Sequence, residues 1–298
     1  MGPVQRRPDP IPPALRDLVR RSLAEDRVRS DRTTRAVVPR RIPAKGTVTA
    51  QATGVLSGTA AARAVAAESG LQVRSALSDG ARLRPGSVVL VVAGDARRIL
   101  SAERTLLNFL MHASGVATEA DRAVRRARKA RRPLEVRATR KTLPGLRDLE
   151  KAAVVHGGGR PHRRDLSEGF LVKNNHLALV PIEEAVRRAR LRAPRGTRIE
   201  VEVRTRSEAL RAARAGAGAL LIDNATPARA RAIVRALERA GLRRGRWVEL
   251  SGGIAPESVG RWASVGADAV SLGALTHSAP ALPFHLTLEP AHLSRRGG

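Results

Sequence analysis

Between residues 134 and 272, short runs of branched and aliphatic residues alternate with helical patterns, about one pair every 25 residues. Strands are expected at 134–138, 169–172, 198–203, 219–222, 247–250 and 269–272, and helices at 182–192, 207–215, 227–240 and 256–265. A strand that is followed by a helix and then by another strand of the same sheet needs a crossover, so the sheet is parallel. The polar residues of this half gather just past the strands. That is where a closed barrel places its chemistry, so a (β/α) barrel of six to eight strands fits better than an open doubly wound sheet.

The first 115 residues have a different rhythm. A short helix is expected at 11–24, with Leu15, Leu18, Val19 and Leu23 near helical spacing. A strand follows at 47–56 and an alanine-rich helix at 59–69, stopped by Gly70. The Pro85-Gly86 turn leads into a strand at 87–92, and a long helix begins near Ile99, marked by Leu106, Leu110, Ala113 and Ala117. With 298 residues in all, a chain of this kind holds about two domains at ~150 residues each.

The strand ends carry unusual residues. After 134–138 comes Thr139-Arg140-Lys141-Thr142, two cations between two hydroxyls. The triplet Gly157-Gly158-Gly159 precedes His162-Arg163-Arg164; it reads either as a flexible basic loop or as backbone able to approach a phosphate. Lys173-Asn174-Asn175-His176 ends the next strand. Three cationic strand ends in one barrel describe a pocket for a ligand with several negative charges. On 198–203 the period of two puts Glu200 and Glu202 on one face, either toward the lumen or paired with arginines. Asp223 closes a strand that is otherwise apolar. Glu202 and Asp223 suit a ribose diol or a metal held through a substrate phosphate. Ser251-Gly252-Gly253 and Ser271-Leu272-Gly273 follow the last two strands, where barrels commonly bind phosphate.

Composition sharpens this. The chain has 55 Lys plus Arg against 27 Asp plus Glu, a formal charge of +28 that suits either a solvated surface or a polyanionic partner. Only five of the cations are lysine, and three of these (Lys141, Lys151 and Lys173) fall within one short stretch, which favours lysine chemistry there. The basic run 122–132 keeps alanines at helical spacing and reads first as a solvated helical face, second as an anion-steering patch. With no cysteine, disulfides and thiolate chemistry are excluded. Aromatics at 2% and no tyrosine argue against a single-strand nucleic-acid binder built on stacking. The longest apolar run, 88–93, is far short of the ~20 residues a membrane span needs, and residues 1–13 lack a signal-peptide core, so a cytoplasmic protein is expected.

The ordered series Thr139-Arg140-Lys141-Thr142-Leu143-Pro144-Gly145, Leu149-Glu150-Lys151, Gly157-Gly158-Gly159, His162-Arg163, Lys173, Glu200-Val201-Glu202-Val203, Leu221-Ile222-Asp223-Asn224, Ser251-Gly252-Gly253-Ile254 and Leu275-Thr276-His277-Ser278 resembles the quinolinate phosphoribosyltransferases of NAD synthesis. Glu25-Asp26, Asp31-Arg32-Thr33-Thr34 and 103–108 extend the likeness over about 20–290. The resemblance implies a type II phosphoribosyltransferase fold: a tail at 1–13, an N-terminal α/β sandwich at 14–115 joined by 275–298, and an α/β barrel at 116–274. It implies transfer from phosphoribosyl pyrophosphate to quinolinate with loss of CO2, Mg2+ and no organic cofactor, and at least a homodimer. In that assembly Arg104 would enter the neighbour's site. Arg140, Lys141, His162, Arg163 and Lys173 would form the cationic pocket for quinolinate and diphosphate. Glu202 and Asp223 would hold ribose hydroxyls and Mg2+ through substrate, with Lys141 and Lys173 assisting by charge. Ser251, Gly252, Gly253, Ser271 and Gly273 would bind the 5-phosphate. Asn174 departs from the pattern, which has an acidic residue there. Two rivals remain: a molybdenum-uptake-associated relative of the same fold, and a basic nucleic-acid-binding protein with no recognised module.

Overall fold

A computed structural model describes residues 11–129 and 134–291 and divides the chain into two units. The first unit runs to Gly115 and resumes at Pro280; the second is Val116–Ala279. Residues 275–279, expected with the first domain, therefore belong to the second unit. The expected tail at 1–13 lies mostly outside the described residues; Pro13 already opens the first helix.

In the first unit, helices α1 (Pro13–Glu25) and α2 (Arg32–Val37) precede β1 (Pro43–Ala50) and β2 (Gly54–Val55). Then come α3 (Thr59–Glu68), β3 (Gln72–Ala76), β4 (Arg82–Leu83), β5 (Val88–Asp95) and α4 (Ala96–Arg128), inside which the unit boundary falls. The final strand, β12 (Phe284–Pro290), returns to this unit and pairs antiparallel with β1, giving the order β12-β1-β5-β3. Along β1 the buried residues Ala44, Val48 and Ala50 alternate with exposed ones, as a sheet with one covered face requires. The Asp31 carboxylate caps α2 by accepting the Thr34 N–H at 2.9 Å. The expected strand 47–56 is in fact two strands, because Gln51, Ala52 and Thr53 break the ladder. Strand β12 was not expected: its alternation is confined to Phe284 and Leu286.

The second unit holds β6 (Glu135–Arg137), α5 (Arg147–His156), β7 (Phe170–Val172), α6 (Asn174–Leu177), α7 (Ile182–Arg192) and β8 (Ile199–Val203). It continues with α8 (Arg206–Arg214), β9 (Ala219–Asp223), α9 (Pro227–Arg239), β10 (Trp247–Ser251), β11 (Ala269–Ser271) and α10 (Ala274–His277). The six strands are parallel, in the order β6-β11-β10-β9-β8-β7. A parallel bridge from Arg137 to Arg160 extends the β6 edge. This is the barrel-like α/β architecture the alternation implies. Residues 256–262, expected as an α-helix, form a 3-10 run. Helix α5 was not expected and carries two buried charges, Glu150 and Lys151.

On β8, Ile199, Val201 and Val203 are buried while Glu200 and Glu202 point the other way, into the lumen. Strands β9 and β10 pair Leu221 with Glu249 and Asp223 with Ser251, so these residues share the inner face in successive layers. The cations of the run 122–132 that fall on α4 sit on its exposed side: Arg122 pairs with Glu119 at 2.5 Å and Arg125 with Asp121 at 2.7 Å, while Ala123 and Ala127 are buried. Residues 130–132 of that run lie outside the described residues.

Candidate active site at the carboxyl ends of the barrel strands

The strands of the second unit end around a cavity of about 330 Å3. Four of the expected cations line it: Arg140, Lys141, Arg163 and Lys173. So do His162, both carboxylates, Glu202 and Asp223, and both serines, Ser251 and Ser271. The cavity is built by the second unit alone. Arg104 lies on α4 in the first unit.

The cationic loop after β6 lies outside the strand ladder, and hydrogen bonds to side chains help to hold it. The Lys141 N–H donates to Thr139 Oγ1 at 3.0 Å, Thr276 Oγ1 donates to the Lys141 carbonyl at 2.7 Å, and the Leu143 N–H donates to the carboxylate of fully buried Glu150 at 3.1 Å. Arg140 Nε is buried without a hydrogen-bond partner. Burial and the adjacent Arg140 charge both disfavour the Arg163 cation and lower its pKa. An anion between the two guanidinium groups relieves both effects.

The acidic side is held as firmly. The Asn174 N–H donates to Glu202 Oε2 at 3.1 Å, and Asn224 Nδ2 donates to Asp223 Oδ2 at 2.9 Å. Asn224 has φ +49°, an uncommon conformation outside glycine, and its backbone N–H is fixed by the Ser251 carbonyl at 3.0 Å. Burial raises the Glu202 pKa, the Asn174 N–H partly offsets this, and nearby Asp223 raises it further. Two carboxylates that repel each other at a cavity wall fit a hard cation or a pair of ribose hydroxyls, and oxygen donors of this kind suit Mg2+ shared with substrate phosphates. The residues present thus fit the metal. Asn174, in place of an acidic side chain, still serves Glu202 through its backbone, and its own Nδ2 is buried without a partner.

Across the cavity, Gly252 has φ +86° and Gly253 φ +61°. A Cβ on Gly252 would collide with Asn224 Oδ1, and one on Gly273 would lie 2.8 Å from Lys141 Cδ and 3.1 Å from His277 Nε2. Bare backbone therefore flanks the serines at this rim. The triplet Gly157-Gly158-Gly159 does something else. It ends α5, and Cβ atoms would drive Gly157 into the Ala117 carbonyl and Gly159 into Val154 at 2.7 Å. These glycines serve packing and do not line the cavity, which corrects the phosphate-loop reading.

His162 is also placed differently from a free substrate-binding cation. Its Nδ1 accepts the Arg163 N–H at 2.7 Å, and its Nε2 faces Glu249 at 3.4 Å and Glu200 at 3.7 Å, both carboxylates inside the barrel. Burial and the Glu249 charge push Glu200 up to about 7. For Glu249 burial acts upward too, but the neighbouring His162 and Arg137 outweigh it and hold its pKa low. Lys151, 6% exposed, donates to the His162 carbonyl at 3.0 Å. Glu249 and Lys151 escaped the sequence-based site. Glu249 carries the same signal that marked Asp223, an acid within an apolar strand, and Lys151 is one of only five lysines.

Comparison with known proteins places this geometry. The quinolinate phosphoribosyl transferase C-terminal domain matches residues 116–287, and the N-terminal domain of the same family matches 31–114. The chain belongs to the quinolinate phosphoribosyl transferase family. It is 40% identical over 276 residues to the probable nicotinate-nucleotide pyrophosphorylase [carboxylating] of Methanothermobacter thermautotrophicus, covering 92% of this chain and 98% of that one. It is 38% identical over 247 residues to the human nicotinate-nucleotide pyrophosphorylase [carboxylating], covering 83% and 82%. Among solved structures, NadC from Streptococcus pyogenes superposes with a TM-score of 0.86 at 34% identity, over 96% of this chain and all of that one.

Proposed function

We propose that this chain transfers the phosphoribosyl group of phosphoribosyl pyrophosphate to quinolinate with decarboxylation, giving nicotinate mononucleotide, pyrophosphate and CO2 for NAD synthesis. One observation carries the assignment of the site: a single cavity is lined by two guanidinium groups, two lysines, a carboxylate pair and two serines at a glycine-flanked rim. Family membership and the named relatives support the same reaction.

In this reading Arg140 and Arg163 grip the two carboxylates of quinolinate, since a guanidinium fork matches a carboxylate bidentately. Ser251, Gly252, Gly253, Ser271 and Gly273 receive the 5-phosphate. Lys141 and Lys173 balance the diphosphate. Mg2+, when bound, neutralises the leaving group and is held by Glu202 and Asp223 through the substrate. The C1–diphosphate bond breaks as the quinolinate nitrogen supplies the electron pair for the new C1–N bond. Glu202 and Asp223 face the positive charge that develops on the ribose and stabilise it by preorganised charge. The ribosylated nitrogen is cationic, so its adjacent positive charge stabilises the in-plane electron pair that stays on C2 when the 2-carboxylate departs as CO2. A proton then closes the C2–H bond. In the proposed homodimer the neighbour's Arg104 completes the cationic pocket.

The test is substrate choice: turnover with quinolinate, and under 1% of that rate with nicotinate, which lacks the 2-carboxylate. Equal use of nicotinate would remove the role given to the second guanidinium.

A further inference from the structure

Arg163 is central to the proposed site, yet it lies in a segment without regular structure. The last ladder contact before it is at Arg160, and the next anchor after it is Arg164, whose guanidinium holds Asp148 at 2.6 Å. Between these two points stands His162, pinned at three atoms. Its carbonyl accepts from Lys151, its Nδ1 accepts the Arg163 N–H, and its Nε2 faces Glu249. A neutral imidazole that accepts at Nδ1 carries its proton on Nε2, so Glu249 is the acceptor that suits this tautomer.

Glu249 is itself immobilised. It is 0% exposed on β10, and its Oε2 accepts from Arg137 Nη1 at 2.7 Å and from Trp247 Nε1 at 3.4 Å. The Arg137 guanidinium also lies over the Trp247 ring, 5.6 Å from its centroid. This leaves Oε1 directed at His162 Nε2, 3.4 Å away, with no hydrogen-bond partner of its own. A carboxylate inside a barrel, near a second one at Glu200, is costly where an apolar residue would fill the space. His162, Glu200 and Glu249 come close enough together to hold a metal ion, but the Arg137 guanidinium already neutralises Glu249 from the other side.

We propose that Glu249 is a positioning residue for quinolinate binding: by fixing the tautomer and orientation of His162 it sets where Arg163 stands in the cavity. The inference rests on the assignment of Arg163 to a quinolinate carboxylate. In Glu249→Gln the amide keeps the volume and one acceptor for Arg137. Its NH2 then meets the Nε2 proton, or the imidazole changes tautomer and loses the acceptor for the Arg163 N–H.

Steady-state kinetics of the full-length enzyme test this. Glu249→Gln raises KM for quinolinate about tenfold, as expected when the carboxylate facing His162 Nε2 is replaced by a neutral amide, while KM for phosphoribosyl pyrophosphate changes less than twofold. In the double variant with His162→Asn, the Glu249→Gln change adds under twofold, because both act through one contact. Nitrogen-15 spectra of the wild type show His162 protonated at Nε2, and this signature is lost in Glu249→Gln. If Glu249→Gln does not fold, Glu249→Asp is measured in its place, with the same split between the two substrates. An unchanged quinolinate KM, an equal rise in both KM values, or full additivity with His162→Asn overturns the inference. So does a stoichiometric metal ion in the purified protein that Glu249→Gln removes. Arg163→Ala separates the two readings: if it leaves quinolinate KM unchanged, the site assignment itself fails.

Discussion

Lys151 allows a buried charge to be weighed in isolation. The residue is 6% exposed, and burial, together with the Arg147, Arg137 and Arg140 charges, lowers its pKa from 10.5 to about 8, against a smaller upward pull from Glu168. Between pH 8 and 10.5 the unfolded chain therefore binds more protons at this residue than the folded chain, and stability rises with pH across that window. Below about pH 8 the folded state bears the whole cost of the charged form. The 2.5-unit difference corresponds to a ceiling of about 3.4 kcal/mol, and screening near the cavity reduces this to about 1–2 kcal/mol. The chain has no cysteine and no tyrosine, so apart from the α-amino group only its five lysines titrate there. Both tryptophans, Trp247 and Trp262, lie in the second unit, so their fluorescence during urea unfolding reports on the unit that holds Lys151. The wild type should gain more stability between pH 7.5 and 10.5 than Lys151→Met, by about 1–2 kcal/mol, or about 0.5–1 M in urea midpoint. Identical slopes for the two proteins would refute the reasoning.

Lys141→Ala and Lys173→Ala should each lower turnover about 100-fold or more while circular dichroism shows an intact fold, since each removes a cavity cation that the proposed reaction assigns to the diphosphate; an active Lys141→Ala enzyme rules out that role. Gly252→Ala should raise KM for phosphoribosyl pyrophosphate and cost about 1–3 kcal/mol of stability, because its φ of +86° and Asn224 Oδ1 leave no room for a Cβ. Mixing Arg104→Ala with Lys141→Ala chains should restore part of the activity by forming one intact composite site per dimer. No rescue after demonstrated subunit exchange counts against a shared site.

The barrel could be read from the sequence because each βα unit marks itself locally: Ile199 to Val203 shows period two, and Pro227 to Arg239 shows an apolar stripe and the Thr226 cap. The strand-end residues were legible for the same reason, since their positions follow from where strands stop. What escaped depends on contacts distant in sequence. Glu249 meets Arg137 and His162 from other strands and loops, and Lys151 reaches His162 from a helix whose pattern is interrupted by its own charges. The glycine triplet misled because close packing against α4 and phosphate binding use the same residue type, and only the neighbours distinguish them. Of the surface arginines, Arg187 and Arg188 pair with Glu184 along one helix and Arg211 pairs with Glu183 across two, and none of them lines the cationic cavity.

The central claim is that one cavity takes quinolinate and phosphoribosyl pyrophosphate together and links transfer to decarboxylation. Release of labelled CO2 from quinolinate carrying the label in its 2-carboxylate tests this most directly. The account predicts one CO2 per pyrophosphate formed in the presence of phosphoribosyl pyrophosphate and Mg2+, and none when either is omitted. Pyrophosphate formed without CO2, or CO2 released without phosphoribosyl pyrophosphate, would contradict it.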